Sequence, residues 1–164
     1  MIYATVQDMI DRFGESELIQ LTDPDIVSVQ APKAERALGD AQALADSYVG
    51  RVYRLPLAGC AKPAPVPGNP QAVDYVAPPQ LTRITCDVAR YYLYDALAPE
   101  HEVYLRYKAA ERELQALADG KTVLVCPWGG VPGALVAGDA PGDAEVYSAF
   151  SPRQITDDTL RGFA

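Results

Sequence analysis

The chain has 164 residues, 49% of them hydrophobic and 22% charged, which is enough for one domain with a core of its own. No apolar run approaches the ~20 residues that a membrane-spanning helix needs, so no membrane is expected as a partner. Fourteen Lys and Arg against 22 Asp and Glu leave a formal net charge of −8, which excludes a protein that grips nucleic acid by general phosphate attraction.

The opening MIYATVQDMIDRFG lacks the basic-then-apolar order of a signal peptide, and the expected compartment is the cytoplasm. Its apolar residues Val6, Met9, Ile10 and Phe13 instead fall at helical spacing. Thr5 is placed to cap that helix with Asp8 three residues on, close to a capping box, and Gly14 is the expected stop. A second short helix follows with Ser16 as its cap, until the TDPD at 22–25 breaks it. Ile26, Val27 and Val29 then give a brief run that can be extended. Pro32 opens a long helix to about Tyr53, on which Leu38, Ala41, Ala45, Tyr48 and Val52 form one apolar seam. Ala34, Ala37, Ala41 and Ala45 are small enough to let another helix come close.

Seven prolines fall between Leu55 and Pro79, too many for a helix and over too long a stretch for an ordinary loop. Residues 63–67 favour polyproline-like extension. This insert either lies along a neighbouring chain or is a solvated linker. The stretch LTRITCDVARYYLYDAL, residues 81–97, is apolar on more than one side and is expected to be the central helix, with its polar side carried by Arg83, Asp87, Arg90 and Asp95. It should stop before Pro99. A last long helix, 100–119, buries Val103, Tyr104, Tyr107, Ala110, Leu114 and Leu117 and ends at Gly120. The short turn before it makes it antiparallel to the central helix.

Past Gly120, TVLV at 122–125 and ALVA at 134–137 bracket CPWGGVPG, and the pair is expected as a short β-hairpin. The tail that follows has apolar anchors, Tyr147, Phe150, Ile155, Leu160 and Phe163, but no sustained period. It reads as an arm that buries its aromatics on another surface. The expectation is therefore a mainly α protein: a small bundle around the helix at 81–97 in residues 1–120, a proline-rich insert at 55–80, and a C-terminal arm, 121–164, holding the hairpin.

Motifs for chemistry are missing. The single histidine, His101, has no nucleophile beside it in sequence, and no phosphate-cradling, zinc-protease or calcium-loop pattern occurs. Cys60, Cys86 and Cys126 are odd in number and widely spaced without a CxxC, so neither a disulfide framework nor a zinc site is expected, and the three are read as small half-buried hydrophobes in a reducing compartment. No catalytic residue, cofactor or metal is assigned. What stands out is 10 Tyr against 3 Phe and 1 Trp. Tyrosine suits surfaces that are apolar yet partly wet. Tyr91, Tyr92, Tyr104 and Tyr107 are read as the periphery of the helical core. Tyr53, Tyr75 and Tyr94, together with the five arm anchors, are the candidate partner-contacting residues.

Five stretches in order carry a resemblance: YATVQDMIDRFGESELIQLTD; ALGDAQALADSYVGRVYRLPL, with its Arg-x-Tyr-x-x-Pro-Leu end; LTRITCDVARYYLYD, with Asp-x-x-Arg-Tyr in mid-helix; RYKAAERELQALADGK; and SPRQITDDTLRGF. The chain resembles a small Mu-like bacteriophage protein family and, more widely, the helical head–tail connector (adaptor, head-completion) proteins of tailed phages. The resemblance implies a structural protein of the virion neck, assembled in the host cytoplasm. It would form a ring of identical subunits, typically twelvefold, beneath the portal protein. The ring would extend a channel through which DNA passes without specific binding and would offer a platform to the next neck or tail protein. Heterologous contacts close such a ring, so arm and receiving surface need not be self-complementary. The alternatives are another neck or tail component, such as a terminator or stopper, a DNA-packaging accessory protein, and, remotely, a hydrolase.

Overall fold

In the computed structural model the described residues are 1–136 without 24, 26, 64–67, 70, 71, 95 and 96. Five helices supply most of the regular structure, as the apolar periodicity requires. Helix α1, Val6–Phe13, opens with a complete capping box. The Thr5 hydroxyl accepts from the Asp8 N–H at 3.2 Å, and the Asp8 carboxylate accepts from the Thr5 N–H at 2.7 Å. Two of the donors that a helix start leaves unpaired are thus satisfied by each other's side chains. Gly14, at φ +89°, ends α1 and immediately starts α2, Glu15–Thr22. Ser16 therefore lies inside α2 and is not its cap. The chain can reverse on one residue there because glycine alone takes that φ without strain.

Helix α3, Ala31–Val49, buries Ala34, Ala37, Leu38, Ala41, Ala45 and Val49. Its partner α4, Pro79–Leu93, buries Leu81, Ile84, Thr85, Cys86, Asp87, Val88, Ala89 and Leu93. The alanines let the two backbones approach, and this is the principal packing interface of the bundle. The start of α3 (Lys33, Arg36, Ala37, Asp40) faces the end of α4 (Tyr92, Leu93), so the two run antiparallel. Helix α5, Glu102–Ala118, returns along them and buries Val103, Ala110, Leu114 and Leu117. The bundle thus has two ends. One holds α2, the start of α3 and the α4–α5 turn. The other holds the insert and the chain after α5.

Two helix ends and the place of the strand pairing differ most from the sequence expectation. The central helix is Pro79–Leu93 and not 81–97. Pro79 fits its first turn because its missing N–H needs no partner there. At the far end Pro99 restrains only its immediate predecessor. What stops the helix is tertiary: Tyr94 turns extended, at φ −86° and ψ 134°, and sends its hydroxyl to Glu17 on α2. Helix α3 ends at Val49, with Gly50 as its cap, because Tyr53 leaves the helical path to enter the core. The two-stranded pairing lies in the insert. Strand β1, Cys60–Ala61, pairs antiparallel with β2, Tyr75–Val76, in the register Cys60↔Val76 and Ala61↔Tyr75. Residues 134–136 pair instead with 52–54: Arg54 N–H donates to Ala134 C=O, Val136 N–H donates to Val52 C=O (both 2.8 Å), and Tyr53 bridges Leu135. Segment 122–125 takes no part in that ladder, although its side chains alternate, Val123 and Val125 outward and Leu124 fully buried.

The cysteine expectation is corrected as well. Cys60 and Cys126 form a disulfide, with Cα atoms 5.3 Å apart and a separation of 66 positions in sequence. Spacing along the chain says nothing about a pair that the fold brings together. Cys86 is free and buried on α4.

Candidate interaction surfaces

Two arginines of α4 hold helices together. Arg90 of α4 donates Nε–H and Nη2–H to the two carboxylate oxygens of Glu17, at 2.7 and 2.9 Å, and its guanidinium lies 4.5 Å from the Phe13 ring centroid. This two-pronged pair fastens α2 to α4 and is partly shielded from water. Arg83 bridges α4 to α5 through Glu113 at 2.5 Å and pairs with Asp87 at 3.4 Å. Burial pushes the Asp87 carboxyl up, with Arg83 opposing. The polar side of α4 is therefore a partly buried face that three ion pairs make tolerable. The His101 imidazole caps α5 through Nδ1, which accepts the Val103 N–H at 3.2 Å. Cys86 has its thiol pushed up to about 11 by burial, which keeps it protonated and unreactive at neutral pH. Among the described residues no group of three or more His, Cys, Asp or Glu is placed to hold a metal ion.

The tyrosines divide. Tyr53 is fully buried, and its hydroxyl accepts the Leu124 N–H at 2.9 Å. It is a core residue that ties the chain after α5 to the bundle, and the reading of it as a partner contact is corrected on that ground. Tyr75, on β2, is 52% exposed and remains available to a partner. Tyr94 is half-buried, donating to Glu17 at 3.0 Å, so its outer edge alone is free. Burial and then the Glu17 carboxylate raise its phenol. Tyr147, Phe150, Ile155, Leu160 and Phe163 lie outside the described residues. The periphery tyrosines form one cluster. Tyr91 stacks on Tyr107 with centroids 4.2 Å apart, Tyr104 tilts against both, and Tyr92 closes the edge.

A second surface lies at the insert end and escapes a reading from sequence. Residues 126–129 make a β-turn, with Gly129 N–H donating to Cys126 C=O at 3.0 Å and Pro127 in its second position. The turn is anchored below by the disulfide to β1 and by the Gly59 N–H, which donates to Pro132 C=O at 2.8 Å. That anchoring holds Trp128 out at its tip, 46% exposed. In the same stretch of chain Val123, Val125, Val131 and Leu135, and next to the 52–54 ladder Leu55, are all more than two-fifths exposed. Exposed apolar residues gathered on one end of a domain mark an interaction site. Arg51, Arg54 and Lys62 are exposed at its edge, and segments 50–63 and 120–136 contain no acidic residue. The signal in sequence was apolar residues at both parities of TVLV, which a one-sided strand would not have.

Comparison with known proteins matches residues 3–132 to the family described as "Bacteriophage Mu, Gp36". The chain is also similar to "Gene product J" of Escherichia phage Mu, 33% identical over 124 residues, covering 74% of this chain and 75% of that protein.

Proposed function

Because the chain belongs to the bacteriophage Mu Gp36 family, we propose that it is a structural protein of the tailed-phage virion, and within the virion a head–tail connector of the neck. In this reading identical subunits close into a ring, twelvefold as in connectors generally, under the portal protein. One face of the ring meets the portal and the other meets the next neck or tail protein. DNA passes through without being held, and the protein carries no enzymatic step and no cofactor.

The observation that supports this reading is the apolar insert end. A bundle that leaves Trp128, three valines and two leucines wet at one end is built to be covered by protein. The −8 charge agrees with a channel through which DNA must slide. Tyr75, beside that end, and the tail anchors Tyr147, Phe150, Ile155, Leu160 and Phe163 supply further contacts to the portal or the adjacent subunit. The test is location. Gold-labelled antibody against this chain, applied to opened virions, should mark the head–tail junction. Label on the tail tube or the capsid shell, or virions without the protein, would remove the connector reading and leave another tail component or an accessory protein.

A further inference from the structure

The insert end is apolar and basic at once, and this chain contains a segment made to match it. Residues 137–164 carry five acidic residues and two arginines, with Asp139, Asp143 and Glu145 coming first and Tyr147 and Phe150 directly after. The platform offers Arg51 in one groove with Val123 and Leu135, exposed Arg54 next to the ladder and Trp128 at the tip of the turn; the carboxylate in that groove, Asp119, is paired with Lys121. The ladder also sets where the described chain stops. As the chain runs from Ala134 to Val136 its partner runs from Arg54 to Val52, so the chain leaves Val136 with Arg51 next along the pairing. A groove lined by Arg51, Val52, Ala118, Asp119, Val123 and Leu135 begins at that point, with the Asp119 carboxylate paired to Lys121 at 3.0 Å.

We propose that in the free protein this platform is covered by the chain's own segment 137–164, its leading carboxylates on Arg51 and Arg54 and its aromatics on the apolar surface around Trp128. The tether decides for the chain's own segment over a second copy. A short connection holds the segment at an effective concentration in the millimolar range, above any working concentration of a second molecule. Covering the platform in this way keeps copies from sticking to one another before their partner is met. The inference does not depend on the neck reading, since it concerns the isolated chain.

Trp128 is the single tryptophan and sits within the platform, so its fluorescence reports coverage without a label. The experiment compares acrylamide quenching of the full chain with that of the full-length triple variant D139K/D143K/E145K, with circular dichroism confirming equal helix content. The Stern–Volmer constant should rise at least twofold in the variant. The full chain should approach the variant's value at high salt, because screening weakens exposed charge pairs. The quenching of the full chain should be unchanged over a roughly hundredfold dilution, as an intramolecular contact requires. Equal quenching of the two folded proteins at low salt would overturn the proposal. Quenching that rises on dilution, with dimers in sedimentation, would overturn it in favour of a second copy as the occupant. The full-length variant Y147S/F150S tests the aromatic half and should also raise quenching; no change there would refute that half.

Discussion

Breaking the Cys60–Cys126 disulfide should be the most damaging change that leaves every other contact in place. The bridge closes a loop of 66 residues containing β2, α4 and α5, and pins the turn carrying Trp128 to the insert hairpin. In the chain-entropy description a loop of that size removes about 15 cal/mol/K from the unfolded ensemble, or about 4 kcal/mol at 25 °C. For a chain of this length each kcal/mol is worth about 2–4 °C in Tm, so reduction should lower Tm by about 8–16 °C. Reduction isolates the crosslink, because both sulfurs stay where they are. The double variant C60A/C126A should fall further, since both positions are buried and the smaller side chains leave space. The assay is thermal unfolding with and without reductant, paired with a thiol count. The native protein should show no fast-reacting thiol. The denatured, unreduced protein should show one, Cys86, and the reduced denatured protein three. Three thiols in the denatured, unreduced protein, or equal Tm values with and without reductant, would refute the reasoning.

Three other changes probe separate joints. Tyr53→Phe leaves the ring in the core but orphans the buried Leu124 N–H, and should cost about 1–3 kcal/mol with faster hydrogen exchange at Leu124; unchanged stability and exchange would show that the bond contributes nothing. A double-mutant cycle on Glu17→Ala and Arg90→Ala should return a coupling of about 1–3 kcal/mol, because the pair is two-pronged and partly buried; additive single effects would contradict that. The Asp23 carboxyl is held below the usual aspartate range by the N–H groups of Val27, Ser28 and Asp25. A depressed folded-state pKa stabilises above the unfolded value, and that contribution is lost as pH falls through the folded value. The parent's stability advantage over Asp23→Asn, read from urea midpoints, should therefore be full at neutral pH and shrink on acidification through the aspartate range; a pH-independent difference would contradict the assignment.

Much of the bundle is written in local pattern. The Thr5/Asp8 box, the Gly14 stop and the alanine seam of α3 each need only neighbours within a few residues, and all three are present. Features decided by distant partners were not legible. Tyr53 reads as the end of the long helix and a partner contact until Leu124 and Leu135, far along the chain, show why it leaves the helix for the core. Cys60 and Cys126 look unrelated until β1 and the Trp128 turn meet. The α4 terminus is set by Glu17 and not by Pro99. The ALVA segment has strand character, but its partner is the chain just past α3, residues 52–54, and not TVLV, because Arg54 N–H and Val52 C=O are free of helical bonding there. The platform around Trp128 was hidden for the same reason, since an outward valine and an inward leucine look alike in a sequence.

The connector reading is tested most directly by negative-stain microscopy of the protein mixed with its cognate portal, with sedimentation of the protein alone as a control for folding and size. A ring of added density on the tail-facing side of the portal is the expected result. Folded protein that leaves the portal bare, with and without packaged DNA, would contradict the role, and family membership would then speak for the fold alone.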